Sequence, residues 1–244
     1  MHPYRWTPIG KDQYIDQATL PEFMNFYKTF YVPNNAVLVV GGDIDIEKTK
    51  ELINKYYGGI PKGTNAIPRP TEAEPQHTAE KVVNFYDNVQ LPGVFIAYHI
   101  PKLGTPDYYA IQMLTQLLSQ GKSSRFQKEI VDKEQKALAV GAFAPSMEDP
   151  GIAVMYGIAN AGVKAEDLEK AMTEQVEKVK SGLISDEEYQ KLENQAENDF
   201  VSQNERVLGV IDNLATYYTF MHDANLINTE LERYKKVTKE EMNR

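Results

Sequence analysis

The chain has 244 residues, 25% of them charged and 42% hydrophobic, with 26 basic against 35 acidic side chains and a net charge of −9. That acidic balance disfavours a polyanionic partner such as nucleic acid, and no basic run offsets it. The lack of cysteine removes disulfides, thiolate zinc sites, iron–sulfur clusters and cysteine nucleophiles, and apolar runs such as 36–42 and 94–97 fall far short of the roughly 20 residues of a membrane-spanning helix.

Met1-His2-Pro3-Tyr4-Arg5-Trp6 has neither a basic leader nor an apolar stretch, so it is not a signal peptide and reads as a chain entered in the middle. Thr19 to Tyr31 reads as a helix: Thr19 suits the N-cap, Pro21 and Glu22 suit the first turn, and Leu20, Phe23, Met24 and Tyr27 recur at helical spacing. Val32-Pro33-Asn34-Asn35 stops it, and the apolar run Ala36–Val40 before Gly41-Gly42-Asp43 reads as a buried strand. Ile46 to Tyr57 forms the next helix, closed by Gly58-Gly59 and Pro61.

The proline-rich, pattern-free stretch from Lys62 to His77 is an extended linker and marks a domain boundary, giving domains over 1–70 and 71–244. Beyond it the pattern predicts strands at 81–86 and 94–100, helices at 106–118 and 123–133, and strands at 137–144 and 152–159 joined around Asp149-Pro150-Gly151. The rest is helical: 164–181, then a helix opened by the capping box Ser185-Asp186-Glu187-Glu188, then 204–222 and 228–235. At Thr238-Lys239-Glu240-Glu241-Met242 another capped helix begins, echoing Thr19-Leu20-Pro21-Glu22-Phe23 at a separation of 219 positions.

Few residues offer chemistry. His2, His77, His99 and His222 include no H-x-x-E-H or H-x-x-x-H pair that would present two imidazoles to one metal from a helix, so no metal ligands are assigned. Gly41-Gly42-Asp43 lacks the spacing of a dinucleotide or phosphate loop, and Glu187, Glu188, Glu240 and Glu241 fit helix N-termini better than paired catalytic carboxylates. Gly121-Lys122-Ser123-Ser124-Arg125 is the exception, a glycine turn followed by an arginine able to bind a carbonyl or carboxylate with two parallel donors. Its competing reading is a surface arginine beside capping serines.

Several stretches together carry a resemblance: His2-Pro3-Tyr4 with Pro8-Ile9-Gly10, Phe26-Tyr27 through Tyr31 to Asp43, Tyr56-Tyr57-Gly58-Gly59-Ile60-Pro61, Gly121 through Phe126, and Asp149-Pro150-Gly151. In that order and separation the chain resembles the insulinase/pitrilysin family of zinc metallopeptidases, the inverted-motif zincins. The resemblance implies an α+β fold in which an antiparallel-rich sheet is covered by helices, with two such halves closing like a clamshell around a peptide. It implies that residues 1–70 are the tail of a first half and 71–244 most of a second, inactive half. Zinc and its H-x-x-E-H ligands would belong to the parent or to a catalytic partner half.

The resemblance further places Arg125 on a family arginine that binds the substrate carbonyl, while Leu138-Ala139-Val140 stands where the family has L-A-Y, so Val140 has no phenol to donate. No catalytic residue is assigned. A lone apolar strand at 36–40 invites aggregation, so residues 19–60 are expected either to dock on the sheet of 81–160, as in a circular permutation, or to exchange between two chains of a homodimer. The implied function is the substrate-binding, non-catalytic part of a peptide-hydrolysing metallopeptidase, or an inactive assembly subunit for a separate catalytic chain. Nothing in the residues chooses between bacterial cytoplasm and periplasm.

Overall fold

The structure, a computed structural model, describes residues 2–71, 74–75, 77–182 and 184–244. The chain divides into two units, Met1–Phe85 and Tyr86–Arg244.

Unit 1 contains helices α1 (Asp12–Gln17), α2 (Leu20–Phe30) and α3 (Ile46–Tyr57). Local polar chemistry sets their ends. Thr19 and Glu22 close a capping box at the start of α2, the Thr19 N–H donating to the Glu22 carboxylate at 2.7 Å, which satisfies donors that the first turn leaves orphaned. Asp45 accepts from the Lys48 N–H at 2.7 Å to begin α3. The two asparagines after Pro33 act as clamps: the Asn35 amide donates to the Phe30 carbonyl at 3.0 Å, and Asn34 accepts from the Gly63 N–H at 2.8 Å. None of the described residues of unit 1 is buried.

Two expected strands do not form. Residues 36–40 and 81–86 join no ladder. β-branched composition favours an extended backbone, yet a strand exists only where a partner supplies its hydrogen bonds. Among the described residues the sheet of unit 2 has three strands.

In unit 2 the strands are β1 (Gly93–Ile100), β2 (Ala137–Phe143) and β3 (Gly151–Ala159), arranged β1-β3-β2 with both pairings antiparallel. β3 alternates strictly, with Ala153, Met155, Gly157 and Ala159 buried and Ile152, Tyr156 and Ile158 outward, the period-two signature of a sheet covered on one face. Gly157 lies on the covered face because a side chain there would meet Leu168 Cδ2 at 2.9 Å.

The covering helices are α4 (Pro106–Ser119), a π-helix over Phe126–Lys133 and α5 (Ala165–Lys180), and α6 (Asp186–Asn204) packs outside them against α4. The predicted helix over 123–133 is therefore present, wound with an i→i+5 closure from the Glu134 N–H to the Glu129 carbonyl. Phe126, Ile130, Leu168, Met172 and Leu118 form the core against β3 and β1. A second core joins Tyr109, Met113, Val179 and Leu192 to the C-terminal helices α7 (Val207–Met221), α8 (Glu230–Lys235) and α9 (Lys239–Asn243) through Met221, Tyr234 and Met242. Thr238 and Glu241 close a capping box on α9 like that of Thr19 and Glu22 on α2. The α+β class and the helix-covered antiparallel sheet are those expected.

Candidate functional site

Unit 2 contains a cleft of about 760 Å³ bounded by the start of the π-helix, the C-terminal part of α5 and the first turns of α6. Gly121, at φ +79°, turns the chain out of α4, a left-handed conformation that glycine adopts without penalty. Ser124 follows, buried, its hydroxyl accepting from the Gln127 N–H at 3.4 Å. That turn sends Arg125 into the cleft wall.

Arg125 meets Glu188 in a two-pronged ion pair, Nε donating to Oε1 and Nη2 to Oε2, both at 2.9 Å. Only 19% of the arginine side chain and 31% of the glutamate are exposed. Glu188 also accepts from the Ser185 N–H at 3.1 Å while its own N–H donates to Ser185 Oγ at 3.2 Å. One carboxylate thus caps α6 and anchors the π-helix to it, a link across 63 residues. The Arg125 guanidinium, aided by Ser185, holds the Glu188 carboxyl down to about 2 against the opposing effect of burial.

A pH dependence follows. A carboxylate whose folded pKa is depressed contributes stability above its unfolded value near 4.5 and loses it as the pH falls toward about 2. Arg125→Ala is expected to cost about 1–2 kcal/mol, because solvent at the cleft mouth screens the pair. It should also remove most of the Glu188 contribution to the slope of stability between pH 5 and pH 2, which urea unfolding at a series of pH values would read.

The floor of the cleft is formed by Leu117, Leu192 and Gln175. Gln175 is 1% exposed, and its Nε2 has no hydrogen-bond partner among the described residues. Lys128, Lys178 and Lys191 line the same space, facing Glu129 and Glu187. Glu129 pairs with Lys133 at 2.9 Å and also feels Lys178 and Lys128, so that, with Arg125 paired to Glu188, cations are in modest excess around the cleft.

Val140 does not belong to this site. It stands in β2 opposite Gly157, on the sheet face covered by helices, and packs against the core around Phe126. The L-A-V segment therefore supplies packing where the resemblance looked for a polar donor. Sequence reading reached Arg125 and the Ser185 cap but not the Arg125–Glu188 pair, which no local spacing reveals. Gln175 did leave a signal: it occupies the buried stripe of α5 with Leu168, Ala171, Met172 and Val179, a polar residue at an apolar position.

The chain as a whole is similar to known proteins. The family profile described as "Peptidase M16 inactive domain" matches residues 17–196. The zinc protease PqqE of Helicobacter pylori is 37% identical over 220 residues, which is 88% of this chain and 49% of that protein. The crystal structure of a protease from Helicobacter pylori superposes with a TM-score of 0.92 at 31% identity, over 99% of this chain and 59% of the other. That of a peptidase M16 inactive domain from Pseudomonas fluorescens does so with a TM-score of 0.79 at 17% identity, over 100% and 57%, and so shares the fold. The chain spans about half the length of the zinc protease it matches.

Proposed function

Because the chain belongs to the peptidase M16 family through an inactive peptidase domain, we propose that it is the non-catalytic half of a zinc metallopeptidase, holding peptide opposite a catalytic half that carries the metal. One observation carries the reading: the inactive-domain match takes in most of a chain that equals about half of a relative named as a zinc protease. In this reading residues 1–70 are the tail of a first half and 71–244 the body of a second.

The sequence carries no H-x-x-E-H pair to hold the family's zinc. His2 accepts from the Tyr4 N–H at 3.1 Å, and His222 ends α7. Zinc supplies the activated water in the parent, and this chain would contribute substrate contacts alone. Arg125 retains donors beyond the two given to Glu188, since a guanidinium carries five, and the reading assigns them to a peptide carbonyl.

Purified with zinc, the chain alone is expected to leave peptides uncleaved. Mixed with a zinc-motif half it should restore chelator-sensitive cleavage, which Arg125→Ala, assayed well below its melting temperature, should reduce. Turnover that co-purifies with the isolated chain would overturn the assignment. The bidentate commitment of Arg125 to Glu188 favours a second reading, an assembly subunit; its mark would be association with the catalytic half and cleavage indifferent to Arg125. Exchange of residues 19–60 between two copies belongs to that second reading, since unit 1 buries none of its described residues.

A further inference from the structure

We propose that the cleft between the π-helix, α5 and α6 binds the carboxyl-terminal residue of a short peptide, a subsite that deepens the peptide-holding reading and rests on it for the choice of ligand. Its volume, about 760 Å³, is that of small-molecule and peptide-end pockets. Three features of its lining converge on one ligand chemistry.

The first is Gln175. A side-chain amide 1% exposed with an unpartnered Nε2 is costly to keep, because burial strips its water and nothing replaces it. Gln175 borders the cleft between α5 and α6, and a small rotation of its side chain gives an incoming carbonyl that donor. The second is charge. Arg125, Lys128, Lys178 and Lys191 line the cleft with the carboxylates Glu129, Glu187 and Glu188, Arg125 pairing with Glu188 while Lys178 and Lys128 act on Glu129 from longer range, so cations remain in excess. In a chain of net charge −9 such a local excess of cations selects an anion. The third is apolar: Leu117 and Leu192, both buried, share the floor with the amide.

A ligand answering all three carries an amide carbonyl, a carboxylate a few ångströms away and an aliphatic side chain. The last residue of a peptide has these, counting the amide bond that joins it to the residue before. Inorganic phosphate would use the lysines but neither Gln175 nor the leucines, and an internal segment would offer no terminal charge.

The test uses the 244-residue chain in calorimetric titrations with three probes: an N-acetylated tripeptide ending in leucine as the free acid, the same tripeptide as its C-terminal amide, and inorganic phosphate. The free acid should bind saturably, and amidation should weaken it by about tenfold or more, the loss of one ionic contact. The double change Lys178→Gln and Lys191→Gln should weaken the free acid by a similar factor. Gln175→Leu should abolish binding while raising the melting temperature, since it removes the orphaned amide; that opposite movement separates a ligand-binding role from a structural one. Absence of saturable binding, equal binding of the amide, or full displacement by equimolar phosphate would overturn the proposal. Titration needs no catalytic half: binding with no restored cleavage would leave this subsite standing and remove the function proposed above, and cleavage without binding would do the reverse.

Discussion

Phe126→Ala is expected to cost about 3–5 kcal/mol, as for other fully buried aromatic truncations, a large share of the roughly 5–15 kcal/mol that holds a domain folded. Phe126 is 0% exposed and packs with Leu118, Ile130, Met155 and Met172, so one ring joins the π-helix, α4, β3 and α5. The Arg125–Glu188 bridge next to it limits how far the segment can move to fill the void. Phe126→Leu, which preserves most of the volume, should lose only about 1.5 kcal/mol. Urea unfolding followed by far-ultraviolet circular dichroism reads the difference. Tryptophan fluorescence does not, because the single tryptophan, Trp6, lies in unit 1. A loss below about 1 kcal/mol for the alanine variant would mean that the core closes freely over the cavity.

The second large effect lies in the polar lock between α4 and α8. The Tyr109 hydroxyl donates to Glu230 with both carboxylate oxygens at 3.0 Å, while Arg233 stands 4.0 Å from the same carboxylate and donates to the Gly104 carbonyl at 3.3 Å. Glu230 is buried, and desolvation raises its pKa against the opposing pull of Tyr109 and Arg233. Burial likewise pushes the Tyr109 phenol up, reinforced by the charge on Glu230. Arg233→Ala removes the only cation in this lock and is expected to cost about 3 kcal/mol near neutral pH, the toll of a buried charge left alone.

The sign of the pH effect is opposite to that at Glu188. A carboxyl whose folded pKa lies above its unfolded value contributes most below the unfolded value, and that contribution fades as the pH rises through the folded one. The Arg233→Ala protein should therefore recover stability as the pH is lowered through the raised Glu230 pKa into the carboxylate range. Adding Glu230→Gln should recover much of the loss at neutral pH without acid. A deficit of equal size at pH 4 and pH 8, unchanged by the second substitution, would show that Arg233 acts through packing instead.

Local chemistry was legible wherever neighbours in sequence are neighbours in space. The capping box at Ser185, the helix over Ile46–Tyr57 and the alternation of β3 each close within a few residues. Residues 36–40 and 81–86 were misread because β propensity names a backbone preference and not the ladder partner that must satisfy it. At the site, Gly121 and Arg125 announce themselves as turn and donor. Glu188 looked fully explained by its cap, and the second task of the same carboxylate depends on a partner 63 positions away. Gln175 was readable in principle, since a glutamine seated among Leu168, Met172 and Val179 breaks the apolar stripe, although the consequence, a buried amide without a partner, needs coordinates.

The three-stranded sheet has a bearing on how solutions of this protein behave. Among the described residues β1 and β2 are both outer strands, each with one hydrogen-bonding row unmatched, and the face away from the helices displays Phe95, 78% exposed and stacked on Tyr156, with Leu138 and Ile158. What opposes collision of two such surfaces is mutual repulsion between molecules of net charge −9, and its reach shrinks from about 10 Å at 0.1 M salt to about 3 Å at 1 M. Ionic strength thus becomes the control on colloidal behaviour: concentrated stocks keep best in dilute buffer above the isoelectric point, and salting-out should arrive early and without unfolding.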